Sequence, residues 1–295
     1  MSRFKMKRLR TVAVLPTMFT LGNLLCGFFA IAVAARVEAP QSIDAPLSAG
    51  FESFNPGYVV GAFDPANPVH NMMLCGMLIF LAMVFDALDG HVARLTRNTS
   101  NFGAELDSLC DLVTFGVAPA FLLVKMCPSF TYLHREAVWI IAGTFVACAA
   151  MRLARFNVES DEEDDHSTFS GLPVPAAAAA ISSFALMFYT LRKDSSVLAF
   201  GTELDRAIQL ILPIFAVLVS LLMVSRVPYP HLFNRLARGQ KSFPHMIALL
   251  FAAFSLLIVR GYAIPIAAIS FVLVPLVLFG LRWMHSFKEK PEPMF

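Results

Sequence analysis

Apolar and polar positions along this chain fall into long blocks. Eight predominantly apolar segments, at 12–35, 69–93, 102–126, 136–156, 173–191, 207–225, 245–262 and 264–284, are separated by polar stretches. Each is close to the roughly 20 residues that carry a helix across the hydrocarbon core of a bilayer. The pattern predicts an all-α polytopic membrane bundle. The stretch 37–68, with five prolines and no sustained periodicity, reads as a loop, as do 157–170 and 226–244. No internal repeat or low-complexity tract interrupts the series, so the transmembrane body reads as one domain.

The basic start Met1–Arg10 followed by an apolar stretch has the layout of a cleavable signal peptide. Its apolar stretch runs on to Ala35, however, well past the 7–15 residues of a signal core, and is therefore read as a first span. The basic residues then form a juxtamembrane segment attracted to anionic headgroups. Basic residues in alternate loops set the orientation. Of the 23 Lys and Arg, only Arg36, Lys125, Arg135, Arg192, Lys193, Arg206 and Arg260 fall on one side; all others share the side of the N-terminus. Both termini are therefore placed in the cytoplasm of a cell (inner or plasma) membrane. The acidic run Glu159–Asp165 falls on the same side and reads as a solvated loop, with a calcium-responsive loop as the alternative.

Composition narrows the class. Hydrophobic residues make up 57% and charged residues 15%, against about 25% charged in a soluble domain. The net charge of +2 excludes nothing by itself. There is no Gly-rich phosphate loop and no long block of Lys and Arg, so soluble nucleotide-binding folds and nucleic-acid partners are poorly supported. The cysteines Cys26, Cys75, Cys110, Cys127 and Cys148 are odd in number, contain no CxxC pair and lie mostly in apolar segments. They read as small buried hydrophobes rather than disulfides or zinc ligands. His91 and His245 are isolated, with no metal-ligand spacing to another histidine.

The chemistry is concentrated in one stretch. Asp86 and Asp89 end an apolar helix three residues apart, hence on one face, and Gly90 and Ala93 share that face, where small side chains let a ligand approach the backbone. The polar bend Arg97–Asn101 breaks the pattern and offers Thr99, Ser100 or Asn101 as a cap for the next helix. That helix carries Gly103, Asp107 and Asp111 at four-residue spacing. Two helices joined by a short bend run antiparallel, so the four carboxylates can converge near the cytoplasmic surface. An Asp in mid-membrane costs about 2.5–3.5 kcal/mol on insertion scales, and four unpaired carboxylates repel one another. A divalent cation resolves both difficulties, because hard oxygen ligands suit Mg²⁺, Mn²⁺ or Ca²⁺. Four Asp suffice for two ions about 3.5–4 Å apart, the arrangement that stabilises attacking and leaving oxygens in phosphoryl displacement. Arg94 adds a positive fork for a phosphate. Paired structural charges or an ion pathway are the alternatives. Only Arg94 lies near enough in sequence to neutralise the cluster, and a transporter more often scatters its ionisable groups over several helices.

The spacing D-x2-D-G-x2-A-R-x8-G-x3-D-x3-D matches the signature of the CDP-alcohol phosphatidyltransferase family at all eight fixed positions, from Asp86 to Asp111. The resemblance implies six core transmembrane helices, two divalent metal ions, and transfer of a phosphatidyl-type group from a CDP-linked donor to an alcohol. It implies that Asp86, Asp89, Asp107 and Asp111 hold the metal and that Asp111 is also the base for the acceptor hydroxyl. Gly90, Ala93, Arg94 and Gly103 would line the CDP site, and a homodimer is implied as well. Phe115-Gly116-Val-Ala-Pro119, Arg152-Leu-Ala-Arg155-Phe156-Asn157 and Gly171-Leu-Pro173-Val-Pro175 resemble the serine-accepting branch, with CDP-diacylglycerol and L-serine as substrates. Thr17 stands where the family often has Asn after Pro16, and the acidic insert is longer than the resemblance leads one to expect.

Arg152 and Arg155, three apart at the inner end of the fourth segment, read either as ordinary membrane-surface anchors or as a clamp for serine's carboxylate or a lipid phosphate. Asn157 offers a further polar contact there. Asn23, inside the first segment, reads equally as a nucleotide contact or as a bond to a neighbouring helix, while Gly22 and Gly27 read as sites of close helix packing. The chain thus divides into a basic segment at 1–11, a transferase core at 12–226, two additional helices within 227–286 and a tail at 287–295.

Overall fold

Where the described chain is apolar over some 20 residues, it is helical. The computed structural model describes residues 14–37, 68–96, 101–161, 171–194, 201–229 and 262–288. Its elements are α1 (Val14–Ala35), α2 (Pro68–Thr96), α3 (Asn101–Asp111), a π-helical segment (Leu112–Val117), α4 (Ala118–Met126), α5 (Pro128–Leu133), α6 (Arg135–Asp161), α7 (Val174–Asp194), α8 (Gly201–Val224) and α9 (Ala263–Lys288). Among the described residues seven stretches are long and apolar enough to cross a membrane, with α3, the π segment and α4 forming one of them. The predicted segment at 245–262, except its last residue, and residues 162–165 of the acidic run lie outside the described residues.

Each span has two apolar faces of different fate. On α1, Met18, Leu21, Leu25 and Phe28 are exposed at three- and four-residue spacing, which is the face left for lipid. The opposite face buries Thr20, Asn23, Ala30 and Ala34. Lipid tails are as apolar as leucine, so no hydrophobic drive holds the helices together and close packing of small residues does so instead. Gly76 of α2 illustrates this, since a Cβ there would lie 3.1 Å from the Ser182 carbonyl and 3.2 Å from Ala185 Cβ of α7. The alanine-rich α7 is central, packing against α2, α8 and α9.

Three connections fix the arrangement. Gly171 has φ +96° and donates its N–H to the Val227 carbonyl at 2.9 Å, while the Leu172 N–H reaches the Leu222 carbonyl at 3.0 Å. Most L-residues avoid that φ, and a Cβ would stand 2.7 Å from the Met223 carbonyl, so only glycine fits. Short α5 was not legible in the apolar pattern because six residues make no span-length signal. It begins at a proline, which has no N–H to leave unpaired in the first turn. It is held by Ser129, whose N–H and hydroxyl both donate to Gln209 Oε1 of α8, at 3.1 and 2.7 Å. Finally, the buried Tyr229 hydroxyl donates to the Val272 carbonyl of α9 at 3.1 Å, close to Pro275, tying the last helix to the chain that leaves α8.

Candidate active site

The end of α2 carries Asp86 and Asp89, and α3 carries Asp107 and Asp111 at four-residue spacing. The fold turns these spacings into a cluster. One carboxylate oxygen each from Asp86, Asp107 and Asp111 lies within 4.8 Å of the others. Oxygens on one Ca²⁺ or Mg²⁺, at about 2.0–2.6 Å from the ion, are at most about 4–5 Å apart, so this trio is spaced to share a cation. Asp107 Oδ1 is buried and has no hydrogen-bond partner among the described residues, as expected of an oxygen reserved for a metal. The donor set is all carboxylate oxygen, which suits a hard divalent ion.

Asp89 stands apart from the trio. It is buried, within electrostatic reach of Asp86, Asp107 and Asp111, and accepts a hydrogen bond from the Thr20 hydroxyl of α1. The expected convergence of four aspartates is therefore a close group of three with a fourth carboxylate beside it, tied to another helix. Asp111 is also held from α1, because Asn23 Nδ2 donates to Asp111 Oδ1 at 2.8 Å. Asn23 thus bonds a neighbouring helix. Thr114 in the π segment donates to the Asn23 carbonyl at 3.1 Å, closing a link from α1 to the turn that follows Asp111. A π turn widens the helix by one residue and recurs at functional sites; here it places Thr114 against α1.

The remaining site residues are placed as follows. Gly90 is exposed and no described residue lies within 4 Å of a Cβ built on it, so the backbone beside the carboxylates is open to a ligand. Gly103 is half-buried in the first turn of α3. Ala93 and Arg94 fall in the last turn of α2, their side chains outside the described set. On α6 Arg152 is buried and Arg155 half-buried. Ser108, next to Asp107, donates to Asn157 at 3.1 Å, so the end of α6 that carries the arginines lies against α3. All five cysteines are buried free thiols.

Thr20 went unrecognised as a functional residue in the sequence, and Asn23 was only half recognised. The available signal was their pairing: two polar residues three apart on one face of an apolar span, where polar groups are expensive and need partners. What they pair with lies 69 and 88 residues away in sequence.

The family model for CDP-alcohol phosphatidyltransferase matches residues 13–222. The chain is 34% identical over 217 residues to a CDP-diacylglycerol–serine O-phosphatidyltransferase of Helicobacter pylori, covering 72% of this chain and 80% of that protein. It is 28% identical over 228 residues to the protein of the same name in Bacillus subtilis, covering 77% and 96%. It is also 38% identical over 156 residues to an archaetidylserine synthase of Methanothermobacter thermautotrophicus, covering 52% and 57%.

Proposed function

The chain belongs to the CDP-alcohol phosphatidyltransferase family, and on that premise we propose that it transfers a phosphatidyl group from CDP-diacylglycerol to the hydroxyl of L-serine, releasing CMP. The observation that carries this reading is the meeting of Asp86, Asp107 and Asp111 oxygens within 4.8 Å at the ends of two membrane helices. Serine as the acceptor is supported by the names of the relatives and by the motifs at 115–119, 152–157 and 171–175.

The serine oxygen attacks the lipid-proximal phosphorus, the bond from that phosphorus to the CMP oxygen breaks, and CMP leaves. Asp111 accepts the hydroxyl proton and later passes it to solvent. Asp86, Asp89, Asp107 and Asp111 are the residues that would hold two divalent ions, Mg²⁺ or Mn²⁺, which when bound supply charge neutralisation and lower the pKa of the hydroxyl. Gly90, Ala93, Arg94 and Gly103 line the CDP site, with Arg94 supplying a positive charge for a phosphate. Arg152 and Arg155 clamp the serine carboxylate or a lipid phosphate. The core at 12–226 carries the reaction, the last helices are an addition to it, and the aspartates and both termini face the cytoplasm of the cell membrane.

The test is CMP release from CDP-diacylglycerol by the purified full-length protein, with Mn²⁺ or Mg²⁺ and a panel of acceptors. Serine is expected to support turnover above glycerol phosphate, inositol phosphate and choline. Faster turnover with any of those, or no CMP with any acceptor, overturns the assignment.

A further inference from the structure

We propose that α1, which contributes no carboxylate, is the positioning element of the site, and that Asn23 is the positioning residue for Asp111. The proposal rests on the reading of Asp111 as base and metal ligand.

The argument starts from what a buried carboxylate needs. The terminal torsion of an Asp side chain is broad and nearly two-fold, so the side-chain rotamer alone does not decide which oxygen points where. Asp111 must present one oxygen to the cation and acceptor in a fixed direction. The amide of Asn23 occupies Oδ1 at 2.8 Å, which leaves Oδ2 for that task. Asn23 is suited to it by being neutral: a Lys or Arg there would compete with the cation for the carboxylate, whereas an amide donor orients it and leaves its charge available. Second-shell donors of this kind orient metal ligands and tune them.

Asn23 is itself held in place. It is fully buried, its backbone carbonyl accepts from the Thr114 hydroxyl, and one turn further along α1 Gly27 gives the π segment room to approach. On the same face, Thr20 does for Asp89 of α2 what Asn23 does for Asp111. Thr20, Asn23 and Gly27 have the i, i+3, i+7 spacing of one helical stripe. A single rigid stripe therefore references carboxylates from two other helices to one frame, which sets the separation of α2 and α3 across the site.

The test uses the full-length protein and two variants, Asn23→Leu, which is similar in size and cannot donate, and Asn23→Ser, which fits wherever Asn does but is too short to reach. Mn²⁺ affinity is read by electron paramagnetic resonance with CDP present, alongside kcat, the KM values and the thermal midpoint. Both variants are expected to weaken Mn²⁺ binding and lower kcat, each by about 10–100-fold. KM for serine should stay within about threefold and the folded protein should be retained, in at least the serine variant. Mn²⁺ affinity and kcat within about twofold of the parent in a folded variant overturns the proposal, as does a fall in thermal midpoint with kcat unchanged. Asp111→Asn in the same assays separates the two levels. If it turns over normally, the assignment of Asp111 fails; if it is inactive while Asn23→Ser is normal, the positioning role alone fails.

Discussion

Gly27 of α1 faces Thr114 of the π segment so closely that a Cβ on the glycine would lie 2.8 Å from the threonine's Cα. That atom is backbone, so it cannot swing aside as a side-chain tip could. The contact sits one turn from Asn23 and three residues beyond Asp111, at the place where α1 meets the span that carries Asp107 and Asp111.

Gly27→Ala is therefore expected to push α1 off the π segment. Overpacking of this kind costs about 1–3 kcal/mol, and here it also displaces the Asn23–Asp111 bond. Thermal unfolding and CMP release should both fall, the latter at least tenfold. Gly22→Ala is the control, since the nearest described atoms to its Cβ would be those of the Phe85 ring, at an ordinary 3.5 Å; equal losses in the two variants would remove the special role of the Gly27 contact.

Metal depletion gives a second test. With EDTA present CMP release should stop, and Mn²⁺ or Mg²⁺ should restore it. On the proposal that the donor's diphosphate completes the coordination, Mn²⁺ should raise CDP affinity by the same factor as CDP raises Mn²⁺ affinity, as linkage requires. Calorimetric titration of each ligand with and without the other measures both factors. CDP binding that is indifferent to Mn²⁺ would sink the shared-site reading.

Arg155 lies half-buried on α6, whose end is tied to α3 through Ser108 and Asn157. Arg155→Ala should raise KM for serine about tenfold or more, on the scale of a charge-assisted contact, with a smaller change in KM for CDP-diacylglycerol. Steady-state kinetics varying one substrate at a time decides the point. Equal effects on both would exclude a carboxylate clamp.

Gly171 supports the fold rather than the chemistry. Gly171→Ala combines an unfavourable φ with a Cβ pressed against the Met223 and Ser225 carbonyls, at 2.7 and 2.8 Å. The expected result is destabilisation of about 1–3 kcal/mol, seen as a lower thermal midpoint, with Mn²⁺ affinity of the folded fraction unchanged. A normal midpoint with weakened metal binding would reassign this motif to the site itself.

Span positions and the aspartate signature were legible in the sequence because both are local properties. The length of an apolar run measures itself against the bilayer, and the spacing from Asp86 to Asp111 is set by helical geometry and one short bend. Apart from small residues such as Gly22 and Gly27, whether a given apolar face meets lipid or protein was not legible, since large apolar side chains suit both surroundings. Short α5 left no span-length signal. Only the tertiary structure decided that Asp86, Asp107 and Asp111 group together while Thr20 takes Asp89, and that Asn23 serves Asp111. Those bonds join residues 69 and 88 apart, and their partners are chosen by how α1 packs against α2 and α3, which no local pattern encodes.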